Sequence, residues 1–532
     1  MSKAQANKRI FRIREGNFSE EYAFVESLLN RKDVNDETAK ETLLVFEALM
    51  QKLIDWGVGE DADIEIRGSD GFGDFHIEVK FGGKVFSLGD GDAASIEDMI
   101  LKAHDDKLSF NYIRGYNTIS ISVRRSDRTS IIVCVISCLC AVIVYIPLSI
   151  FVDADNLTKL SSGYVYPIEK MYANAMLMIG APMTFFSLMK NLTNTYVVSQ
   201  RSSGVQRLQK RTLVTSVFAI ILALASFMIM SSAISLMESS LYGSVFEFTV
   251  LSDRSFSDIV GSFVPSSIFE PFEAVSPIPL MLVALLCTYA MCSAGKYFAD
   301  LQHAMMACYT LFSRMLAIVI SALPAFCFIS VMDLLLVWGY NGLIELLGYV
   351  VAACMGIALL LFTYAIRLRA HGVKVTLFVR KIVPLIIENY KIGSAIDAAQ
   401  YNIRFCSKSL KMNREMLERD MPVLAEINLD GNCFLLMFFT LAFCFTMGIE
   451  VSWISLAGLS LLILFLSLGA PNQPGSILIG MLIIITYVNS MGALGTAIIL
   501  EALFGAAQNL INVVGDIVMV AIEDSKENAR AE

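Results

Sequence analysis

From Ile131 to Ile522 the chain keeps returning to apolar runs long enough to cross a lipid bilayer, parted by polar links. A hydrocarbon core of ~30 Å takes about 20 apolar residues wound as a helix. Nothing in that core can hydrogen-bond a bare backbone, so spans must be helices or closed barrels. The runs therefore restrict the chain to a mainly α, multi-pass membrane protein. Composition agrees, with 55% hydrophobic and 17% charged residues and a mean hydropathy of +0.61. The net charge of -9 gives no reason to expect nucleic acid as a partner. The eleven cysteines lie mostly in apolar runs, with no CxxC pair, and support neither a zinc site nor a disulfide framework.

Basic residues orient the runs. Arg124, Arg125 and Arg128 precede the first, Ile131 to Val152, and keep the N-terminus in the cytoplasm. The second, Met176 to Met189, returns to Lys190 and a basic link with Arg201, Arg207, Lys210 and Arg211. The third, Thr212 to Met237, emerges among Glu238, Glu247, Asp253 and Asp258. The fourth, Phe263 to Ser293, ends near Lys296, the fifth covers Ala304 to Trp338, and the sixth, Leu346 to Ile366, ends at Arg367, Arg369, His371 and Lys374. Residues 375–425 are amphipathic and broken by Pro384, Gly393 and Pro422, a pattern that suits a re-entrant hairpin buried in protein. Cys433 to Met447 crosses, Leu456 to Leu468 and Ser476 to Tyr487 form a second broken pair, and Met491 to Ile522 is the last span.

Residues 1–125 read as a separate cytoplasmic module. Helices are expected over Ser19 to Lys32, Asp36 to Trp56 and Ser95 to Ala103, and strands at Asp63 to Ile66, Phe75 to Val79 and Thr118 to Val123. That order predicts a small α+β domain. It faintly resembles the ATPase fold of histidine kinases and anti-sigma factors, but Glu47 is followed by Gln51 where that family's metal pair needs Asn. Gly89-Asp90-Gly91-Asp92 reads equally as a nucleotide loop or a plain turn.

Three polar interruptions stand out in the apolar part. Asn428-Leu-Asp-Gly431 opens the run from Cys433, Ser467 to Gly475 parts two apolar halves, and Gln508 to Asp516 lies within the last span. Broken polar segments at membrane depth mark transporter binding sites. Asp430 and Asp516 have no Lys or Arg in their own spans to pair with. A buried acid so placed needs a cation or a proton.

In these same stretches the chain, from about Ile131 to Asp524, resembles the dicarboxylate/amino acid:cation symporters. Asn428-Leu-Asp-Gly431 is similar to the signature Asn-Met-Asp-Gly-Thr, and Asn512-Val-Val-Gly-Asp516 to the ending Asn-Val-x-Gly-Asp. Ser467-Leu-Gly-Ala-Pro-Asn-Gln-Pro-Gly475 resembles the second hairpin's Gly-Val-Pro-Gly tip, and Pro265-Ser-Ser-Ile-Phe269 a Pro-x-Asn-Ile-Phe motif of the fourth span. The resemblance implies eight transmembrane helices plus two re-entrant helical hairpins, an elevator-type fold, and a homotrimer with fixed scaffold and moving transport units. It places the protein in the plasma membrane as residues 126–524, with a cytoplasmic tail at 525–532.

Carried over by position, the resemblance implies three sodium sites. One uses the Asp516 carboxylate and the carbonyls of Leu424, Asn428 and Asn512; a second uses Thr215, Ser216, Asn428 and Asp430; a third uses the carbonyls of Ser467, Leu468 and Ala470. Hard oxygens of this kind suit a small hard cation. Thr212 stands where the family has a tyrosine. Glu426, beside these positions, is a candidate proton site, weighed equally against a glutamate facing an aqueous cavity.

The solute positions depart from the family. Gln508 stands for the arginine that grips a carboxylate, Gly505 for the aspartate that holds an amino group, Asn509 for the threonine after it, and Asn432 for the signature's closing threonine. The first hairpin's serine-rich tip is reduced to Ser394, and Gln473 lies at the tip of the second. The expectation is a non-enzymatic sodium symporter for a small polar organic solute, amino-acid- or carboxylate-like but neither glutamate nor aspartate. The alternative is a transporter-derived sensor that signals through residues 1–125.

Overall fold

The computed structural model describes residues 8–12, 19–31, 34, 36–55, 63–70, 74–83, 95–104, 107–113, 115–124, 128–201, 203–234, 264–446, 451, 453–471, 473–487 and 494–531. They fall into two compact units, Met1–Asp127 and Arg128–Glu532.

The first unit holds strands β1 (Lys8–Arg12), β2 (Asp63–Asp70), β3 (Asp74–Gly82), β4 (Leu108–Ile113) and β5 (Tyr116–Arg124), and helices α1 (Ser19–Arg31), α2 (Asp36–Asp55) and α3 (Ile96–Ala103). The strands form one antiparallel sheet in the order β1-β2-β3-β5-β4. Alternate residues turn inward, as a half-buried strand requires: Ile64 and Ile66, then Phe75, Ile77, Val79 and Phe81, then Ile119, Ile121 and Val123 are buried. They share a core with Val25, Leu28 and Leu29 of α1 and Phe46, Leu49, Met50 and Leu53 of α2. Ser95 caps α3 by accepting from Asp98 N, and the Asp98 carboxylate bonds Lys52 Nζ of α2 at 2.9 Å. Strands β1 and β4 are additions to the expected order. The segment around Gly89, Asp90 and Asp92 lies outside the described residues.

The second unit is helical: α4 (Arg128–Phe151), α5 (Ala154–Leu160), α6 (Tyr166–Arg201), α7 (Ser203–Ile234), α8 (Glu270–Glu273), α9 (Pro277–Cys292), α10 (Phe298–Ile320), α11 (Leu323–Ala370), α12 (Val375–Ile392), α13 (Ala395–Phe405), α14 (Arg414–Ile427), α15 (Asp430–Thr446), α16 (Trp453–Gly469), α17 (Ser476–Tyr487) and α18 (Leu494–Ala531). Among the described residues, seven helices are long and apolar enough to span a membrane.

The expected fifth span is divided. Its chain breaks at Ser321–Ala322, where Pro324 opens α11, and α11 then runs on for 48 residues through the expected sixth span. Proline suits a first helical turn because its missing N–H is needed by no partner there. Gly339, with φ 61° and ψ -150°, is non-helical and parts α11 into two helices, 323–338 and 340–370, where the fifth span was expected to end.

Helices α12 and α13 meet at a tight turn. Gly393 ends α12 in the left-handed region (φ 74°), and Ser394 caps α13 by accepting from Asp397 N at 3.3 Å. Two buried amides tie the pair together: Asn389 Nδ2 donates to Asn402 Oδ1 at 2.7 Å, and Asn402 Nδ2 returns the bond at 3.1 Å. Asn389→Leu strands its partner's amide and is expected to cost about 2 kcal/mol. Adding Asn402→Leu is expected to recover most of that loss in thermal unfolding, since two apolar partners leave nothing unpaired.

Helix α15 lies at the centre, packed on α7, α16, α17 and α18. From Cys433 to Cys444 it is apolar on every face but for Thr440 and buried throughout, which is how such a helix escapes water.

Candidate functional site

The site is built on a helix break. Helix α14 ends at Ile427, Asn428 leaves helical geometry (φ -92°, ψ 87°), and α15 begins at Asp430. A break leaves carbonyls and N–H groups without helical partners. Asn428 N still reaches Leu424 O at 2.8 Å. Side chains from α7, α11 and α18 converge on what remains.

Asn428 Nδ2 donates to Asp516 Oδ1 at 2.9 Å, and Thr215 Oγ1 lies 3.3 Å from Asn428 Oδ1. Ser216 Oγ donates to Asp430 Oδ1 at 3.3 Å, and Tyr364 Oη to Asp430 Oδ2 at 2.9 Å. Asn512 Oδ1 accepts from Gly431 N at 2.8 Å. Asn428, Asp430, Asn512 and Asp516 are all buried. Two carboxylates, two amides and two short hydroxyls thus share one buried region.

Among the described residues neither Asp430 nor Asp516 forms an ion pair. Arg367 of α11 holds its guanidinium 5.9 Å from the Tyr364 ring centre and turns one nitrogen to Met519 Sδ at 3.0 Å. Leaving two buried acids to amide and hydroxyl donors alone is costly. A small hard cation fits such oxygens by charge and by chemistry.

A second polar layer lies between α15, α17 and α18. Gln508 Nε2 donates to Ser476 Oγ at 3.2 Å, and Asn432 Nδ2 points to the same oxygen at 3.4 Å. Both Glu501 oxygens accept main-chain N–H groups, from Gly475 at 2.7 Å and Leu478 at 2.9 Å. The Glu501 carboxyl lies over Gly505: a methyl group there would come within 2.5 Å of Glu501 Oε1. A cavity of about 10 Å³ is lined by Asn432, Ser467, Ala470 and Ser476 among others, room for roughly one water.

The remaining expected positions are placed as follows. The carbonyl of Ser467 accepts from Ala470 N (3.1 Å), that of Leu468 from Asn191 Nδ2 (2.8 Å), and that of Ala470 from Ser187 Oγ (3.1 Å). Each retains a second lone pair. Glu426 Oε1 accepts from Asn194 Nδ2 at 2.9 Å and lies 3.8 Å from Lys190 Nζ. Gln473 Oε1 accepts from Ser313 Oγ at 2.8 Å. Ser394 is spent on its own helix cap. Asn509 is half-buried, and among the described residues its side chain makes no hydrogen bond.

Tyr364, Ser476 and Glu501 belong to the site but were not among the expected residues. Tyr364 had a faint signal, since Gly356, Leu360, Tyr364 and Leu368 recur every fourth residue on the buried face of α11. Glu501 had a plainer one, as an acid alone in an apolar stretch of the last span.

No curated protein matches the chain. Residues 130–525 match the sodium:dicarboxylate symporter family. That match takes in every helix from α5 to α17, almost all of α4 and most of α18. It includes both acids and the helix break at Asn428. The chain therefore belongs to the sodium:dicarboxylate symporter family.

Proposed function

We propose that this protein uses a sodium gradient to move a small polar organic solute across the cell membrane. The observation that carries this reading is the pair of buried carboxylates, Asp430 and Asp516, held among the described residues by hydroxyl and amide donors only. Asp516, Asn428 and Asn512, with the Leu424 carbonyl, would hold one sodium ion, and Asp430, Asn428, Thr215 and Ser216 a second. The carbonyls of Ser467, Leu468 and Ala470 would hold a third in the closed form. The bound cations supply the driving gradient. Glu426, within reach of Lys190, is the candidate proton position.

The solute is read by Asn432, Gln508, Asn509 and Gln473, with Gly505 and Ser394 at the margin. In this reading α12–α13 and α16–α17 are the two re-entrant pairs among eight spans. The chain assembles as a homotrimer in the plasma membrane, with both termini in the cytoplasm, and carries its solute elevator fashion. Residues 1–125 form a cytoplasmic regulatory domain, residues 126–524 the transport domain and residues 525–532 a tail.

The test is thermal unfolding of the purified protein in sodium and in potassium, against a panel of small neutral and polar solutes. A solute that stabilises only with sodium is then expected to enter liposomes down an imposed sodium gradient. Unchanged flux without sodium overturns the coupling. The sensor reading draws on the self-contained core of the first unit. It gains the ground if no panel solute moves and a partner protein binds through residues 1–125.

A further inference from the structure

Glu169, near the start of α6, is 1% exposed, and its Oε1 is buried without a hydrogen-bond partner. A buried carboxylate keeps its charge only where donors or a cation meet it. Among the described residues no basic side chain forms an ion pair with Glu169. Lys170 follows it in the chain but is exposed. Helix α18 meets the acid at Gly495, where an added methyl group would overlap Glu169 Oε1 and lie 3.3 Å from Ser330 Cβ. Helix α11 meets it with Ser330 and Asp333. Ser330 is also 1% exposed, and its Oγ is the second buried atom here without a partner. Asp333 Oδ1 accepts from Ser161 Oγ, just ahead of α6, at 2.6 Å. Asp333 and, on its own helix, Tyr166 are the titratable groups that face Glu169 among the described residues, and neither is basic.

The Ser330 hydroxyl is able to donate to a carboxylate. One such donor leaves the charge uncompensated, with a second acid beside it. Neighbouring carboxyl groups resist ionising together. A proton on Glu169 Oε1 removes the charge and makes that oxygen a donor, with Ser330 Oγ as its acceptor. One proton therefore satisfies both unpartnered atoms. An ionisable side chain in a membrane span is a common element of proton pathways, and Glu169 and Asp333 both lie in helices long and apolar enough to cross.

We propose that Glu169 is a proton-binding site: it holds a proton that it donates to Ser330 Oγ, and this keeps α6, α11 and the amino end of α18 closed on one another. Without the proton, a charge lies against the main chain of α18 at Gly495. The acid therefore gives its proton to water only when α18 draws back and water enters. The site shares no residue with the sodium or solute positions, so the inference goes beyond the transport reading and stands apart from it.

The experiment is infrared difference spectroscopy of the full-length protein at neutral pH, wild type minus Glu169→Gln. A neutral carboxylic acid has a carbonyl band of its own, apart from those of carboxylates and amides, and the band shifts in deuterium oxide. The difference spectrum is expected to show that band, equally in sodium and in potassium. Its absence overturns the proposal, and so does its loss in sodium alone, which would make the occupant a metal cation. Thermal unfolding in potassium gives a second readout, over about pH 5 to 9, where a glutamate in the unfolded chain is already ionised. The folded wild type holds a proton that the unfolded chain gives up, so rising pH favours unfolding. The wild-type midpoint is expected to fall more steeply with pH than that of Glu169→Gln, and equal slopes overturn the proposal. If Glu169→Gln does not purify, Ser330→Ala takes its place. The carbonyl band is then expected to move, because the acceptor of the acid's proton is gone, and an unmoved spectrum overturns the proposal.

Discussion

Asp516→Asn is expected to abolish the stabilisation that sodium gives the protein, and with it sodium-driven uptake. The substitution keeps shape and one carbonyl oxygen, so Asn428 Nδ2 retains an acceptor where Asp516 Oδ1 stood. What it removes is one of two negative charges in a region with no paired cation among the described residues. Taking one charge from a buried, tightly packed charge pair costs about 3–5 kcal/mol, which corresponds to a fall in sodium affinity of about 100-fold or more. The sodium-free protein behaves in the opposite way. Without a cation the buried carboxylate is a burden, so the variant is expected to unfold at the same temperature as wild type or higher in potassium. Titration of the unfolding midpoint with sodium separates the two effects. A wild-type sodium response in Asp516→Asn removes Asp516 from the cation site. A loss of stability in both salts makes Asp516 a structural residue.

The cluster of buried polar residues around Asn428 could be read from the sequence because it violates the rule of its surroundings. Asn428, Asp430, Asn512 and Asp516 are polar residues inside apolar runs, and Gly431 beside them marks a loosened backbone. Such a violation is visible along the chain without knowing what faces it. Partners supplied by packing are not visible in that way. Tyr364 looks like any aromatic residue in a long apolar span until α11 brings its hydroxyl to Asp430. Glu501 was conspicuous as an acid, but its partners are main-chain N–H groups, which have no residue type. The importance of Gly505 likewise depends on the side chain one turn before it.

The same contrast holds for the fold. Strands β2, β3 and β5 alternate plainly, whereas β1 (Lys-Arg-Ile-Phe-Arg) buries only Phe11 and β4 lies at the sheet's other edge. Edge strands face water on more sides, so their period-two signal is weak. The break within α11, by contrast, shows in the sequence. Trp338-Gly-Tyr340 looks like the end of a span, and Gly339 adopts φ 61° and ψ -150° there, a break that parts one helix from the next.

Gly431→Ala is expected to damage the protein more than any other single methyl at the site. The added carbon would lie 2.6 Å from Gln508 O, 2.9 Å from Asn512 Oδ1 and 3.0 Å from Ile511 Cβ. The nearest of these is main chain of α18, which cannot swing aside as a side-chain tip can. Relief therefore requires α15 and α18 to move apart, at a cost of about 3 kcal/mol or more. That movement also lengthens the Gly431 N to Asn512 Oδ1 bond and draws Asp430 away from Asp516, so sodium affinity is expected to fall together with stability. Gly458→Ala in α16 is the control, because a methyl there meets nothing within 4 Å. Alanine is the better helix former, so that variant is expected to gain about 0.5–1 kcal/mol and to keep its sodium response. Measuring both variants in sodium and in potassium tests whether contact between α15 and α18, rather than helix propensity, holds the acids in register. If Gly431→Ala unfolds like wild type and binds sodium equally well, the two helices do not touch as closely as described.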